Sequence, residues 1–339
     1  MHVFSPQDHQ RHVPTWYVTD GVARPGPDVP TRVGAIRHAL AHHTHTAVSC
    51  DHTTLQHAAR IHDLDYLTYL RTIYNLWSAE FGPHDVLPDT FVPRGLSVPR
   101  PSKPSAQAGY YCFDMAAPIG PHTSDAALAS AACALAAVNH LLTTCQPAYA
   151  LCRPPGHHAG RDYCGGFCYL NNIAIAADLA RARGAQRIAI FDVDYHHGNG
   201  TQDIFYARND VLFASIHAEP DTQYPYFWGH ASERGTGPGE GFNLNLPLPR
   251  GADAPTWFHA LTLATRAIKN FSPDILLISL GVDTYRHDGV GDFQLDLPDF
   301  TRFGQQLADL KLPTVLIQEG GYNVDAVGAC VANVLAAFS

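Results

Sequence analysis

The sequence predicts an α/β fold, a mostly parallel sheet with helices on both faces, built as one domain over residues 1–339. Three observations carry this. The runs Arg187–Phe191, Val211–Ile216 and Asp274–Leu280 are short, β-rich and apolar on both faces, as strands covered on both sides must be. Helical patterns lie between them, and strands alternating with helices build parallel sheets. Pro273 and Pro313 punctuate returns from helix to strand, where a residue that cannot continue a helix belongs.

Taken in order, the chain opens on a third that reads differently from the rest. His38, His42, His43 and His45 crowd one short segment, which we read as a solvated helix end rather than a metal site. Residues 81–104 hold Pro83, Pro88, Pro93, Pro99, Pro101 and Pro104 without a period, and predict a long ordered loop or arm. Loops of that length are usually functional or disordered. Then follow a helix over Ser124–Thr143, a short strand over Tyr149–Cys152 and a helix over Asn171–Arg183. Beyond the first two long strands come a helix over Pro255–Asn270, the third strand, a helix over Leu297–Leu310 and a last strand over Thr314–Gln318. No internal repeat is visible.

Composition narrows the function classes. The 31 acidic and 22 basic residues give a net charge of -9, which opposes nucleic-acid phosphates and anionic lipid and favours cationic ligands. Met1–Pro6 carries no basic run, so no signal peptide is read. The apolar stretch Ala126–Val138 falls short of the roughly 20 residues a membrane span needs. The eight cysteines are scattered, and a reduced, cytoplasmic setting is the default. The expectation is therefore a small-molecule enzyme with neither nucleic acid nor membrane as partner.

Four polar segments each follow a strand, at the edge where open α/β sheets bind ligands. They are Arg153-Pro154-Pro155-Gly156-His157-His158, Asp192 to Gly200, Gly281-Val282-Asp283-Thr284 and Glu319-Gly320-Gly321-Tyr322. Asp194 and His196 are two apart, so on an extended segment they face the same way. Asp283, from another strand, adds a third ligand. Two carboxylates and an imidazole suit zinc and leave a position open for water and substrate. Adjacent His157 and His158 offer a base and an acid near neutral pH. Asp192 and Asn199 are placed to fix their tautomers. Tyr322, on a glycine-flanked bend, could donate to a developing oxyanion.

The segments RPPGHH, GGFCYLNN (Gly165–Asn172), DVDYHHGNGTQDIFY (Asp192–Tyr206), GVDT and EGGY together resemble the zinc-dependent deacetylases of the arginase-deacetylase superfamily. That group includes histone deacetylases and acetylpolyamine amidohydrolases, and GYYC (Gly109–Cys112) with its proline-rich arm resembles the latter. The resemblance implies a zinc amidohydrolase that removes an acetyl group from a primary amine. It implies Asp194, His196 and Asp283 as zinc ligands and His157 and His158 as the catalytic pair, with His158 the general base. Asp192 and Asn199 would be their partners and Tyr322 the oxyanion donor. Phe167, Tyr224, Gly166 and Val290 would wall a narrow tunnel. A structural potassium or sodium ion would lie at Asp192, Asp194, His196, Ser215 and Ile216, and another at Phe205, Arg208 and Val211. The arm would narrow the tunnel mouth across a homodimer.

One departure concerns substrate. Polyamine-specific relatives carry glutamates just before and after GYYC, where this chain reads Pro104-Ser105-Ala106 and Met115-Ala116-Ala117. Asp114 is the nearby acid left for a distal ammonium. An arginase-like site with two manganese ions would need a second aspartate where this chain has Tyr285. A non-catalytic scaffold would have lost a ligand or the tyrosine, and none is lost.

Overall fold

A computed structural model describes residues 1–7, 9–92 and 98–338. The strands are β1 (His2–Pro6), β2 (Trp16–Thr19), β3 (Val22–Pro25), β4 (Thr44–Val48), β5 (Ala148–Ala150), β6 (Ile188–Asp192), β7 (Val211–Ala218), β8 (Asn243–Leu248), β9 (Ile275–Leu280) and β10 (Thr314–Gln318). The helices are α1 (Thr31–Ala39), α2 (His52–Ile61), α3 (Leu64–Phe81), α4 (Pro104–Tyr111), α5 (Thr123–Thr144), α6 (Asn172–Ala182), α7 (Asn199–Phe205), α8 (Ala254–Phe271), α9 (Leu297–Ala308) and α10 (Val327–Leu335).

Eight strands form one sheet in the order β4-β1-β5-β10-β9-β6-β7-β8, and every pairing in it is parallel. Alternation along a strand sends successive side chains to opposite faces. Ile188 and Ile190 of β6, with Ile275 and Leu277 of β9, enter the core under α3, α5 and α6. Ala189 and Phe191, with Leu276, Ile278 and Leu280, enter the opposite core under α1, α8, α9 and α10. Two buried faces explain why these strands read as continuous apolar runs.

Local chemistry sets the helix ends. Asn171 caps α6 through Ala174 N–H, and Asp253 caps α8 through Thr256 N–H with Pro255 in the first turn. Asp296 and Asp299 form a capping box at α9. Helix α5, at 22 residues, exceeds the apolar run read from the sequence and is long and apolar enough to cross a bilayer. It is nonetheless a core helix, mostly buried against β1, β5 and α6.

The five expected strands and four expected helices are present within one or two residues of their bounds. The first third holds more structure than expected: β1, β4, the β2–β3 hairpin and α1 to α4. The histidine segment is the solvated end of α1 followed by β4, and no metal-ligand group forms there among the described residues. Of residues 81–104, Phe81 ends α3 and Pro104 starts α4. Between them Val86 pairs with Ile119, and the Thr90 carbonyl presses on Gly109 of α4. Residues 93–97, the middle of the expected arm, lie outside the described residues.

Candidate active site

The loops that follow β5, β6, β9 and β10 meet at one edge of the sheet. Asp194 and His196 come from the loop after β6, and Asp283 from the loop after β9. Their ligand atoms lie within 4.8 Å of one another. His196 Nδ1 is 3.2 Å from Asp194 Oδ1 and 3.2 Å from Asp283 Oδ2. Asp194 Oδ2 accepts from Gly320 N at 2.8 Å, and Asp283 Oδ1 from Tyr195 N at 2.9 Å. Asp283 Oδ2 is buried and makes no hydrogen bond, although it faces the His196 ring nitrogen at 3.2 Å. Burial and the neighbouring Asp194 push the Asp283 carboxyl up to about 7. Two buried carboxylates converging on one imidazole, with one oxygen that no hydrogen bond satisfies, form a donor set that fits a small divalent cation. A Cβ at Gly320 would lie 2.5 Å from Asp194 Oδ2 and 2.6 Å from Asp283 Oδ2, so only glycine lets β10 close over this cluster.

The tandem histidines stand beside it with different partners. His157 Nδ1 is 2.9 Å from Asp192 Oδ2, and His158 Nδ1 is 2.7 Å from Asn199 Oδ1. Burial disfavours the charged form of both. At His157 the carboxylates of Asp192 and Asp194 outweigh burial and lift it to about 10. At His158 burial is reinforced by the positive His157 and His196, so its pKa falls well below the usual histidine value. The surroundings thus favour the charged form at His157 and the neutral form at His158.

Tyr322 faces the same cavity. Its backbone N–H donates to Asp288 Oδ2, and Arg32 stacks its guanidinium 4.6 Å from the ring centroid. Arg32 also donates to the carbonyls of Gly321 and Glu319 at 2.6 and 2.7 Å, fixing the glycine bend. Burial raises the phenol well above its ordinary value, so it remains a donor.

Phe167, Gly166, Tyr224 and Val290 line a cavity of about 430 Å³ that reaches His157, His158, His196 and Tyr322. Phe167 meets Tyr322 edge-on at 5.6 Å, and Tyr224 meets His158 at 5.0 Å. Asp114 does not offer itself to an ammonium. Its carboxylate accepts from Tyr224 Oη at 2.6 Å, Gly166 N at 2.9 Å and Ala116 N at 2.9 Å. It braces both walls of the channel. The mouth is framed by the β2–β3 hairpin, whose Tyr17, Val18, Thr19, Asp20 and Arg24 line it. Among the described residues of 81–104, none does.

Asp192 and Ser215 are paired in register on β6 and β7, with Ile216 next, and Ser215 Oγ lies 2.8 Å from His217 Nδ1. Phe205, Arg208 and Val211 surround the turn into β7, where Arg208 N donates to the Phe205 carbonyl. Sequence reasoning missed Glu319, which accepts from Gly156 N at 2.6 Å, His157 N at 3.2 Å and Ser279 Oγ at 3.0 Å. Its position at the head of EGGY was the available signal. It missed Arg32 and Asp288 too, and for these the sequence holds no local cue.

The cavity thus brings two histidines, a phenol and the edge of a carboxylate–imidazole cluster to one place. The fold and the site together define a hydrolase. The chain belongs to the histone deacetylase family: the family model for the histone deacetylase domain matches residues 26–338. It is 45% identical over 331 residues to acetylpolyamine amidohydrolase 1 of Pseudomonas aeruginosa, covering 97% of this chain and 96% of that one. It is 42% identical over 281 residues to the acetylpolyamine amidohydrolase of Mycoplana ramosa, covering 83% and 82%. The crystal structure of an acetylpolyamine aminohydrolase from Burkholderia pseudomallei superposes with a TM-score of 0.94 at 38% identity, over 99% of this chain and 98% of that one.

Proposed function

We propose that this chain is a zinc-dependent amidohydrolase that removes acetyl from small acetylated primary amines, the class that includes acetylpolyamines. The observation that carries the reading is the convergence of Asp194, His196 and Asp283, whose buried Asp283 Oδ2 makes no hydrogen bond, with His196 lining the cavity that also holds His158 and Tyr322. The relatives' names add the acetylated amine.

Asp194, His196 and Asp283 would hold the zinc, which when bound supplies Lewis acidity to the amide carbonyl and acidifies a water molecule. With Asn199 Oδ1 accepting from Nδ1, His158 keeps its Nε2 lone pair toward the cavity and takes the proton of the attacking water. Tyr322 donates from its phenol to the amide oxygen as charge builds there. His157, held positive by Asp192, steadies the negative charge of the centre. The proton taken by His158 passes to the leaving nitrogen as the C–N bond breaks, giving acetate and a free amine. Whole histones should be poor substrates, because the 81–104 arm would restrict the entrance across the dimer.

Further parts of this reading rest on the family resemblance. Potassium or sodium would sit at Asp192, Asp194, His196, Ser215 and Ile216, and at Phe205, Arg208 and Val211. The chain would form a homodimer through the 81–104 segment in the cytoplasm. Sedimentation showing only monomer at micromolar concentration would remove the dimer.

Chelated protein should lose hydrolysis of N-acetylputrescine, N-acetylcadaverine and a fluorogenic acetyl-lysine substrate, and regain it with zinc. Undiminished hydrolysis by the metal-stripped protein, or none by the zinc-loaded one, would overturn the proposal.

A further inference from the structure

The rim of the channel carries two opposite charges that the hydrolysis does not use. Asp20 sits at the tip of the β2–β3 hairpin and Arg24 lies in β3, and both line the cavity. Arg24 Nη2 and Asp20 Oδ2 are 3.9 Å apart, with 52% and 70% of their side chains exposed. So loose and wet a pair contributes little, and either member can exchange its partner for an incoming ion. The other carboxylate of the lining in the channel walls, Asp114, already has three donors.

The hairpin is anchored to the channel. Val18 N donates to the Met115 carbonyl at 3.1 Å, and Tyr17, which is paired in register with Arg24, meets Phe167 edge-on at 5.3 Å. Phe167 in turn meets Tyr322 at 5.6 Å. Two ring contacts thus separate the reacting end from the strand pair that carries the charges. In an Nε-acylated lysine, six bonds of about 1.5 Å separate the acyl carbon from the α-carbon.

We propose that the rim recognises an amino-acid head group, so that the substrate class extends to ω-N-acetylated diamino acids. Asp20 takes the α-ammonium and Arg24 the α-carboxylate, which its planar fork can grip with two parallel hydrogen bonds. This rests on the deacetylase reading above. An acetylated diamine of equal length has the ammonium and lacks the carboxylate, so it leaves Arg24 facing a like charge.

Nε-acetyl-lysine and N-acetylcadaverine differ by that carboxylate alone, and their kcat/KM values should be measured on zinc-loaded enzyme. Arg24→Gln should lower kcat/KM for Nε-acetyl-lysine through KM and raise it for N-acetylcadaverine, shifting their ratio about fivefold or more. Asp20→Asn should lower both, and Arg24→Lys should keep part of the ratio. Damage to the hairpin would lower both substrates together in Arg24→Gln, and that result, or an unmoved ratio, overturns the assignment. If the wild type hydrolyses N-acetylcadaverine while the ratio ignores Arg24, only the rim proposal fails. If it hydrolyses neither these nor the fluorogenic substrate, the deacetylase reading itself fails.

Discussion

At the channel floor, Asp194, Asp283, His157, His158 and Glu319 are almost wholly buried, and each is gripped by backbone or side-chain partners from another strand end. At the rim, Asp20 and Arg24 are more than half exposed and touch little besides each other. Burial makes floor charges costly and therefore strongly coupled, while water keeps rim charges cheap and independent. The floor is therefore fitted to one chemistry, and the rim is free to choose what is presented to it. Substitutions at the floor should act on turnover, and substitutions at the rim on KM and selectivity.

The sharpest test of that division is Asp283→Ala. It should abolish both tightly bound zinc, read by metal analysis, and activity; full zinc occupancy in the variant would break the ligand assignment. Tyr322→Phe should lower kcat by about 10²–10³-fold with little change in KM, because the donor acts on charge that develops during reaction. A variant with normal turnover would remove Tyr322 from the floor. Asp114→Asn stands between the two regions. Weakening its bonds to Tyr224 and Gly166, each worth about 1.5–3 kcal/mol with a charged partner, should raise KM and admit longer acyl groups. An unchanged acyl-length profile would show that the walls hold themselves. The smallest effect is expected at the hairpin tip. Gly21 has φ +72, so Gly21→Ala should cost about 1–2 kcal/mol locally, shifting KM modestly while kcat holds. A fall in kcat there would tie the rim to the chemistry.

The same contrast explains what could be read in the sequence. The strands β6, β7 and β9 were legible because burial on both faces forces an unbroken apolar run. Asp194, Asp283, His157 and His158 were legible because each follows a strand in a short motif, whereas Glu319 went unassigned although it heads one. Strands β1, β4 and β8 were not, since His2, Pro6, Thr44, Asn243 and Pro247 break any apolar run, and β4 and β8 lie at the sheet edges. The hairpin had left a sign that went unread: Asp20-Gly21, both at positive φ, is the dipeptide of a tight two-residue turn. Asp114 was misjudged as an ammonium contact because its partner Tyr224 is 110 positions away, and nothing local announces that bond.

The strand order carries a consequence for how the chain becomes active as it is made. Strands β10 and β9, late in the chain, lie between β5 and β6, which come much earlier. While β9 and β10 are still unmade, nothing in the sheet bridges β5 to β6, and the segments bearing His157 and Asp194 have nothing to align them. Contacts between such distant parts form slowly, because a long loop must close before they bring any gain. Asp283 and Tyr322 arrive on the very strands that close this gap. A nascent chain truncated before β9 would therefore carry both histidines and two of the three ligands yet hold no metal and cleave nothing. Activity should appear only when synthesis has passed residue 322, which keeps a half-made chain from acting as a half-formed enzyme.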